Sequence, residues 1–253
     1  MNPSNFYTIW FSQRNGSTLL CKALESTGVL GKPSELFTLE SNEKLLDKHK
    51  AKDYKHLQDK VYNLGSSSNG VFGVKLNAPI KENDPLMSQL KMFPIVKDST
   101  NLNNNFAVWD NLFPNCKHIF LTRRNKIRQV VSWWKAIMTN EWHRKSGDQS
   151  NIDHKELAEK YEYNALRHLL LETGLRESAI QAFLDEGKSS ALTIVYEDFI
   201  KDYIGTVKKI GNYVGVDIDE EMVDIPYYSK LADDISDEWT ERFSFELRKK
   251  LDE

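Results

Sequence analysis

The sequence predicts an α/β fold, with a mainly parallel sheet carrying helices on both faces. Three observations predict it. Short β-prone apolar runs alternate with segments of helical period along the chain. Two of those runs end in polar, arginine-containing turns that lead straight into apolar-striped helices, the pattern of a parallel sheet with crossover helices. The 253 residues are 40% apolar and 11% aromatic, enough for a packed core. No repeat, low-complexity tract or linker divides the chain, so one domain over residues 1–253 is expected.

Taken in order, Phe6-Tyr7-Thr8-Ile9-Trp10-Phe11 is the first strand, since aromatic and β-branched residues favour the pleated, buried conformation. A turn at residues 12–17 follows, then a helix with Leu19, Leu20, Ala23 and Leu24 on one side, closed by Gly28. Residues 31–37 are an extended or turn segment, because Pro33 disfavours helix at Lys32. Residues 43–64 read as one charged, mostly exposed helix, and 71–76 as a second strand. Short helices are expected at 86–93 and 106–113, around an asparagine-rich loop at 98–105. His118-Ile119-Phe120-Leu121-Thr122 is a third strand. The helix after it carries Ile127, Val130, Val131, Trp134, Ile137 and Met138 as one stripe, leaving Arg128 and Ser132 together on another face. Residues 153–186 supply further helix, with an interruption near Gly174. A fourth strand at 192–196, a helix near 205–214 and a charged helix at 238–251 complete the chain.

Charge is distributed more tellingly than its total. The formal net charge of −3 argues against a nucleic-acid partner. Residues 1–24 contain no acid but include Arg14 and Lys22, and residues 111–140 contain no acid but hold six lysines and arginines. Carboxylates gather instead near the C-terminus, from Asp217 to Glu238. In a parallel sheet ligands sit beyond the carboxyl ends of strands, which is where Arg14 and Arg124 both fall, so the two are expected to converge on an anion. Cys21 and Cys116 are the only cysteines and have no partners at metal-ligand spacing. Reduced core thiols are the expectation and one bridge the alternative. No metal site is predicted. No basic and apolar leader and no apolar run of about 20 residues occurs, so a cytoplasmic protein without a membrane segment is expected.

Arg14-Asn15-Gly16-Ser17-Thr18 has the parts of a phosphate cradle. Gly16 admits close backbone approach, the following helix turns its positive end toward the loop, and the hydroxyls and guanidinium add donors. The kinase and ATPase pattern G-x-x-x-x-G-K-[ST] is absent, so the cradle is P-loop-like without being that P-loop.

Four stretches together resemble the sulfotransferases, and among them the bacterial carbohydrate branch. These are residues 12–21, residues 31–37, Leu121-Thr122-Arg123-Arg124-Asn125-Lys126 continuing to Ser132, and Tyr196-Glu197-Asp198. Residues 70–76 and 237–243 are similar to that branch too, in the same chain order. The resemblance implies the sulfotransferase fold and transfer of a sulfonate from the nucleotide PAPS (3′-phosphoadenylyl sulfate) to a hydroxyl, with a carbohydrate or glycolipid as acceptor. It implies that Arg14, Asn15, Gly16, Ser17 and Thr18 hold the 5′-phosphosulfate, and that Arg124 and Ser132 hold the 3′-phosphate, Arg123 being less favoured. It also gives Glu35 as general base, acting with Arg14 at the catalytic centre. A carboxylate can take the acceptor proton there, though a glutamate beside Pro33-Ser34 also suits a turn.

Lys75, Trp142 and His143 are candidates for the acceptor or the sulfonate, with Trp133 and the asparagines of residues 101–105 as further sugar-pocket candidates. Trp239 suits adenine stacking or helix packing, and Arg242 the 3′-phosphate or the surface. Relatives of this branch include homodimers, and the sequence identifies no interface. No glycine follows Gly215, so the late G-x-x-G-x-x-K element of cytosolic eukaryotic sulfotransferases is missing and the distal nucleotide contacts are built differently. Two other classes fit the cradle: a nucleotide-dependent kinase, with Asp198 on magnesium, and a non-catalytic PAPS- or sugar-binding protein.

Overall fold

In the computed structural model, residues 3–37, 41–77, 85–97, 99, 102, 104–144, 154–225 and 231–251 are described. The element order is β1 (Asn5–Phe11), α1 (Ser17–Ser26), α2 (Asn42–Lys48), α3 (Tyr54–Gly65), β2 (Val71–Leu76), α4 (Pro85–Leu90), α5 (Pro94–Lys97), α6 (Asn105–Leu112) and β3 (Lys117–Thr122). It continues with α7 (Lys126–Thr139), α8 (His154–Ala158), α9 (Tyr163–Glu186), β4 (Ala191–Val195), α10 (Tyr196–Phe199), α11 (Tyr203–Val214), a 3-10 turn (Glu220–Met222) and α12 (Asp234–Leu251). The four strands form one sheet in the order β2-β1-β3-β4, and every pairing is parallel. All strand carboxyl ends therefore open on one edge.

Alternation of side chains gives each sheet face its own core. Phe6 and Trp10 of β1 point with Phe72, Val74 and Leu76 of β2 into an aromatic cluster against α3, α6 and α9. There the Trp109 and Phe113 rings lie 4.5 Å apart, and Trp10 and Trp109 5.3 Å apart. Tyr7 and Ile9 point the other way, with Ile119 and Leu121, onto α1 and α11. A third cluster, built from α7, α8, α9 and α12 around Val130, Leu166, Trp239 and Phe243, stands beside the sheet.

β1 pairs with β2 on one side, and the chain then returns to place β3 on the other. The point between β1 and β3 is thus the topological switch, where connections leave in opposite directions and a crevice opens. The two arginine-containing turns hang over it.

Several expectations are corrected. The helix over residues 43–64 is two helices: Lys50 adopts a left-handed backbone (φ 48°), and Asp53 starts the second by accepting from the His56 amide at 2.7 Å. It is also less exposed than its charge suggests, for Leu45, Leu57, Val61 and Tyr62 are buried. The break in the 153–186 stretch lies before Tyr163, where the Glu162 side chain caps α9, and the helix runs unbroken through Gly174. The α7 stripe holds for Val130 and Val131, but Ile137 and Met138 are exposed while Trp133 and Ala136 are buried. Residues 101 and 103 lie outside the described residues, and Asn104 caps α6 by accepting from the Ala107 amide at 2.7 Å. Both cysteines are free. Among the described residues no helix is long and apolar enough to cross a membrane.

Candidate functional site

The turn after β1 is shaped by two left-handed residues, Arg14 (φ 62°) and Gly16 (φ 87°), the latter capping α1 with no side chain over the helix end. The first amides of α1 thus face outward, where the helix dipole is positive. Gly16 is required on packing grounds too: a Cβ there would lie 2.4 Å from Cδ2 of Tyr196. Asn15 is fully buried and its Nδ2 donates to the Leu121 carbonyl at 2.6 Å, so its side chain ties the turn to β3 rather than facing a ligand.

The cavity beside this turn has a volume of about 1220 Å³. Among the predicted residues, Arg14, Gly16, Ser17, Thr18, Glu35, Lys75, Ser132, Trp142 and His143 line it, and so does Trp133. Arg14 reaches across: its Nε donates to Ser132 Oγ at 3.1 Å and its Nη1 to the Trp142 carbonyl. Burial and the neighbouring Arg123 cation pull the Arg14 pKa down to about 10. A guanidinium whose charge is penalised in this way is stabilised by an entering anion.

Lys75, at the end of β2 and nearly buried, joins two parts of the site. Its Nζ lies 3.0 Å from Glu35 Oε1 and donates to Thr18 Oγ1 at 3.1 Å. The segment carrying Glu35 is laid along β2 by the Lys75 amide, which donates to the Ser34 carbonyl at 3.0 Å, and by Lys48 Nζ on the Glu35 carbonyl at 2.7 Å. The Glu35 carboxylate itself is 56% exposed and open to the cavity. His143 Nε2 lies 3.4 Å from Thr18 Oγ1. Burial, then Arg14 and Lys75, lower its pKa.

On the β3 side the two adjacent arginines point apart. Arg123 lines the cavity, its guanidinium 5.0 Å from the Tyr196 ring centroid, with Nη1 donating to the Arg14 carbonyl at 3.3 Å and a buried Nε lacking a hydrogen-bond acceptor. Arg124 lies outside the lining. Its amide donates to Glu197 at 2.8 Å and its guanidinium to Asp198 Oδ2 at 2.7 Å, in an exposed pair. Two further predicted residues are not brought to the cavity. Trp239 is fully buried beside Tyr161 in the α7–α12 core, because that face of α12 is its packing face. Arg242 stacks 3.8 Å over the Tyr161 ring and pairs with Glu246.

Arg128, Lys135 and Tyr196 all line the cavity, although sequence reasoning gave none of them a role in the site. Arg128 pairs with Asp237 at 2.5 Å and Lys135 with Asp233 at 2.6 Å, which docks α12 on α7. Both stand in the acid-free stretch, and Tyr196 stands in the Tyr-Glu-Asp motif, so each carried a signal. Among the described residues no three His, Cys, Asp or Glu side chains cluster as metal ligands.

A parallel sheet flanked by helices, with an arginine-containing turn at its switch-point crevice, defines an α/β protein with its candidate site at the strand carboxyl ends. The chain belongs to the Stf0 sulphotransferase family, whose model matches residues 6–246, and is therefore a sulfotransferase. The resemblance read from the four stretches is borne out, and the kinase alternative falls away. The chain is 25% identical over 262 residues to a trehalose 2-sulfotransferase of Mycolicibacterium smegmatis, covering 94% of this chain and 93% of that protein. It is 23% identical over 265 residues to one from Mycobacterium tuberculosis, with coverage of 95% and 94%. A solved sulfotransferase domain from the curacin biosynthetic pathway shares the fold, with a TM-score of 0.51 at 14% identity over 98% of this chain and 99% of that one.

Proposed function

We propose that this sulfotransferase takes its sulfonate from PAPS and delivers it to a carbohydrate hydroxyl, with Glu35 as the group that accepts the proton. The observation that carries the reading is Lys75, whose ammonium touches both Thr18 of the cradle and Glu35. A carboxylate is thereby held next to the anion cradle, where an alcohol must lose its proton beside a phosphosulfate.

The residues present suit such a donor. The cradle is a backbone concavity that a Cβ on Gly16 would spoil, Arg14 has no carboxylate within salt-bridge distance among the described residues, and the buried Arg123 Nε makes no hydrogen bond, only a long 3.7 Å ion pair with Glu197. Arg14, the α1 amides, Ser17 and Thr18 hold the phosphosulfate end. Ser132, Arg128 and Arg124 serve the 3′-phosphate. Arg124 joins them by exchanging Asp198, and exposed pairs of that kind contribute only about 0–1 kcal/mol. When bound, PAPS supplies an activated sulfonate and a stable leaving group, 3′,5′-ADP (PAP). Glu35 takes the hydroxyl proton onto its carboxylate, Lys75 stays protonated between base and cradle, and Arg14 with the helix end balances charge that develops on the sulfonate oxygens. Trp142 and His143 border the same space. A flat indole and an imidazole suit a sugar's apolar face and its hydroxyls, which agrees with the trehalose named for both mycobacterial relatives.

The test is transfer of labelled sulfonate from PAPS to a carbohydrate panel by wild type and Glu35→Gln. The variant should bind PAP as wild type does and lose about 10²–10⁴-fold in kcat. Undiminished turnover in Glu35→Gln removes Glu35 as the base. Transfer to no carbohydrate removes the acceptor class.

A further inference from the structure

The hydrogen-bonded ladder between β1 and β3 ends at the pair Phe11↔Leu121. One residue further on, Ser12 and Thr122 would sit opposite each other, and there the backbone register gives way to a side-chain bridge from another element. Glu177 of α9 accepts through Oε1 from Ser12 Oγ at 3.1 Å, from Thr122 Oγ1 at 3.1 Å and from Lys126 Nζ at 2.5 Å. Ser12 is fully buried, and the fully buried Gln129 adds Nε2 bonds to Ser12 Oγ at 2.9 Å and to the Gln13 carbonyl at 2.7 Å. The three residues joined by Glu177 are the roots of both phosphate-binding segments: Ser12 opens the turn that leads to Arg14, Thr122 precedes Arg123, and Lys126 begins α7, which carries Arg128 and Ser132.

Cohesion alone does not call for this bridge. Ile180 and Phe183, one to two turns along α9, already bury apolar surface against the sheet, and partly buried ion pairs can be replaced by apolar side chains with little loss of stability. What an apolar contact cannot do is fix three donors on one oxygen. We propose that Glu177 is a positioning residue for the donor, a clamp that sets the spacing between the Arg14–Thr18 cradle and the Arg123–Ser132 segment. Glu177 does not itself line the cavity, so it acts through Ser12, Thr122 and Lys126. The two segments must match a ligand whose anionic groups are held at fixed separation, and a misplacement of about 1 Å at such a site costs on the order of 10²-fold. Glu177 bonds to none of Glu35, Trp142 and His143: Glu35 is held on β2 with Lys48 on its carbonyl, and Trp142 and His143 meet the cradle at its far end, at Arg14 and Thr18.

The proposal rests on the donor reading above, and its test separates the two. On the full chain, the Kd for PAP, the KM for PAPS, the KM for the best carbohydrate acceptor and the thermal midpoint are measured together. Glu177→Ala is expected to raise the PAP Kd and the PAPS KM at least tenfold while the acceptor KM stays within twofold. Glu177→Gln, which keeps an oxygen for the two hydroxyls, recovers most of that loss. Donor constants at the wild-type level in folded Glu177→Ala, or equal movement of both KM values in step with the midpoint, overturn the clamp alone. Should Glu177→Ala fail to fold, Ser12→Ala and Thr122→Val each remove one arm. Both are expected to show the donor-only shift, and wild-type constants in both overturn the proposal. A wild-type protein that does not bind PAP overturns the donor reading, and this inference with it.

Discussion

Arg14 and Ser132, 118 residues apart in sequence, are joined by a hydrogen bond of 3.1 Å from the guanidinium Nε to the hydroxyl. The contact brings together the two segments that sequence alone could only place at neighbouring strand ends. It also leaves Arg14 with neutral acceptors, a hydroxyl and a carbonyl, around a full charge.

An anion that enters therefore displaces weak partners. Arg14→Ala is expected to lower kcat/KM for PAPS by about 10²–10³-fold. Arg14→Lys should recover only part of it, since an ammonium cannot reproduce the forked donor geometry. Steady-state kinetics and PAP calorimetry check both, and a Kd for Arg14→Ala equal to wild type speaks against the assignment.

On the proposed reading, Asp198 competes with the 3′-phosphate for Arg124. Arg124→Ala should weaken PAP binding by about 1.5–3 kcal/mol, the range for a charged hydrogen bond, with little change in thermal midpoint because the pair is exposed. Asp198→Asn removes the competing carboxylate and should tighten PAP binding by up to about fivefold, the equivalent of 1 kcal/mol. Weaker binding in Asp198→Asn would mean that Asp198 supports the site rather than competing for its arginine.

Gly16→Ala meets two obstacles at once, a left-handed backbone and the Tyr196 ring. A loss of about 1–3 kcal/mol in unfolding free energy is expected, together with weakened PAP binding, because any relief moves the cradle or the ring. Chemical denaturation and calorimetry measure the two effects. Unchanged values for both contradict the fit described here.

His118 provides a pH dependence with a definite sign. It is buried, accepts a hydrogen bond from Trp10 Nε1 on Nδ1 at 3.0 Å, and has its pKa lowered by burial to about 4. A protonated ring would turn Nδ1–H against the indole N–H. Between about pH 6.5 and 4 the unfolded chain holds a proton on this ring and the folded chain does not, so stability falls as pH falls through that window. The slope from this residue approaches about 1.4 kcal/mol per pH unit. His118→Gln keeps an acceptor for Trp10 and should flatten the profile below pH 6.5. A profile parallel to wild type assigns the acid sensitivity to other groups.

Much of this site was legible in the chain. The strand–turn–helix at residues 6–24 and the arginines after residue 122 follow from short-range rules, because strand propensity, a glycine turn and helix periodicity act within a few residues. Which of two adjacent arginines faces inward does not follow. Arg123 and Arg124 differ by half a turn of backbone at a strand end, and the choice rests on Tyr196 and Asp198, more than 70 residues away. The same holds for α7. Periodicity found Val130 and Val131, but the far half of the helix buries Trp133 and Ala136 instead, because α12 and the cavity wall meet it there. Trp239 could be read as a ring for stacking or for packing, and its burial depends on α7 and α8. Residues 43–64 failed for a local reason, since Asp53 is a helix start in the middle of a pattern that looks continuous.

The ring of Tyr196 on Gly16 has a consequence for how the molecule is made. The cradle is encoded within the first eighteen residues, yet one of its walls comes from beyond β4 and Glu177 braces its base. During synthesis, then, some 180 further residues must emerge before the pocket acquires its shape. On the proposed donor reading, nucleotide binding can therefore stabilise only the finished chain and not a partial product on the ribosome.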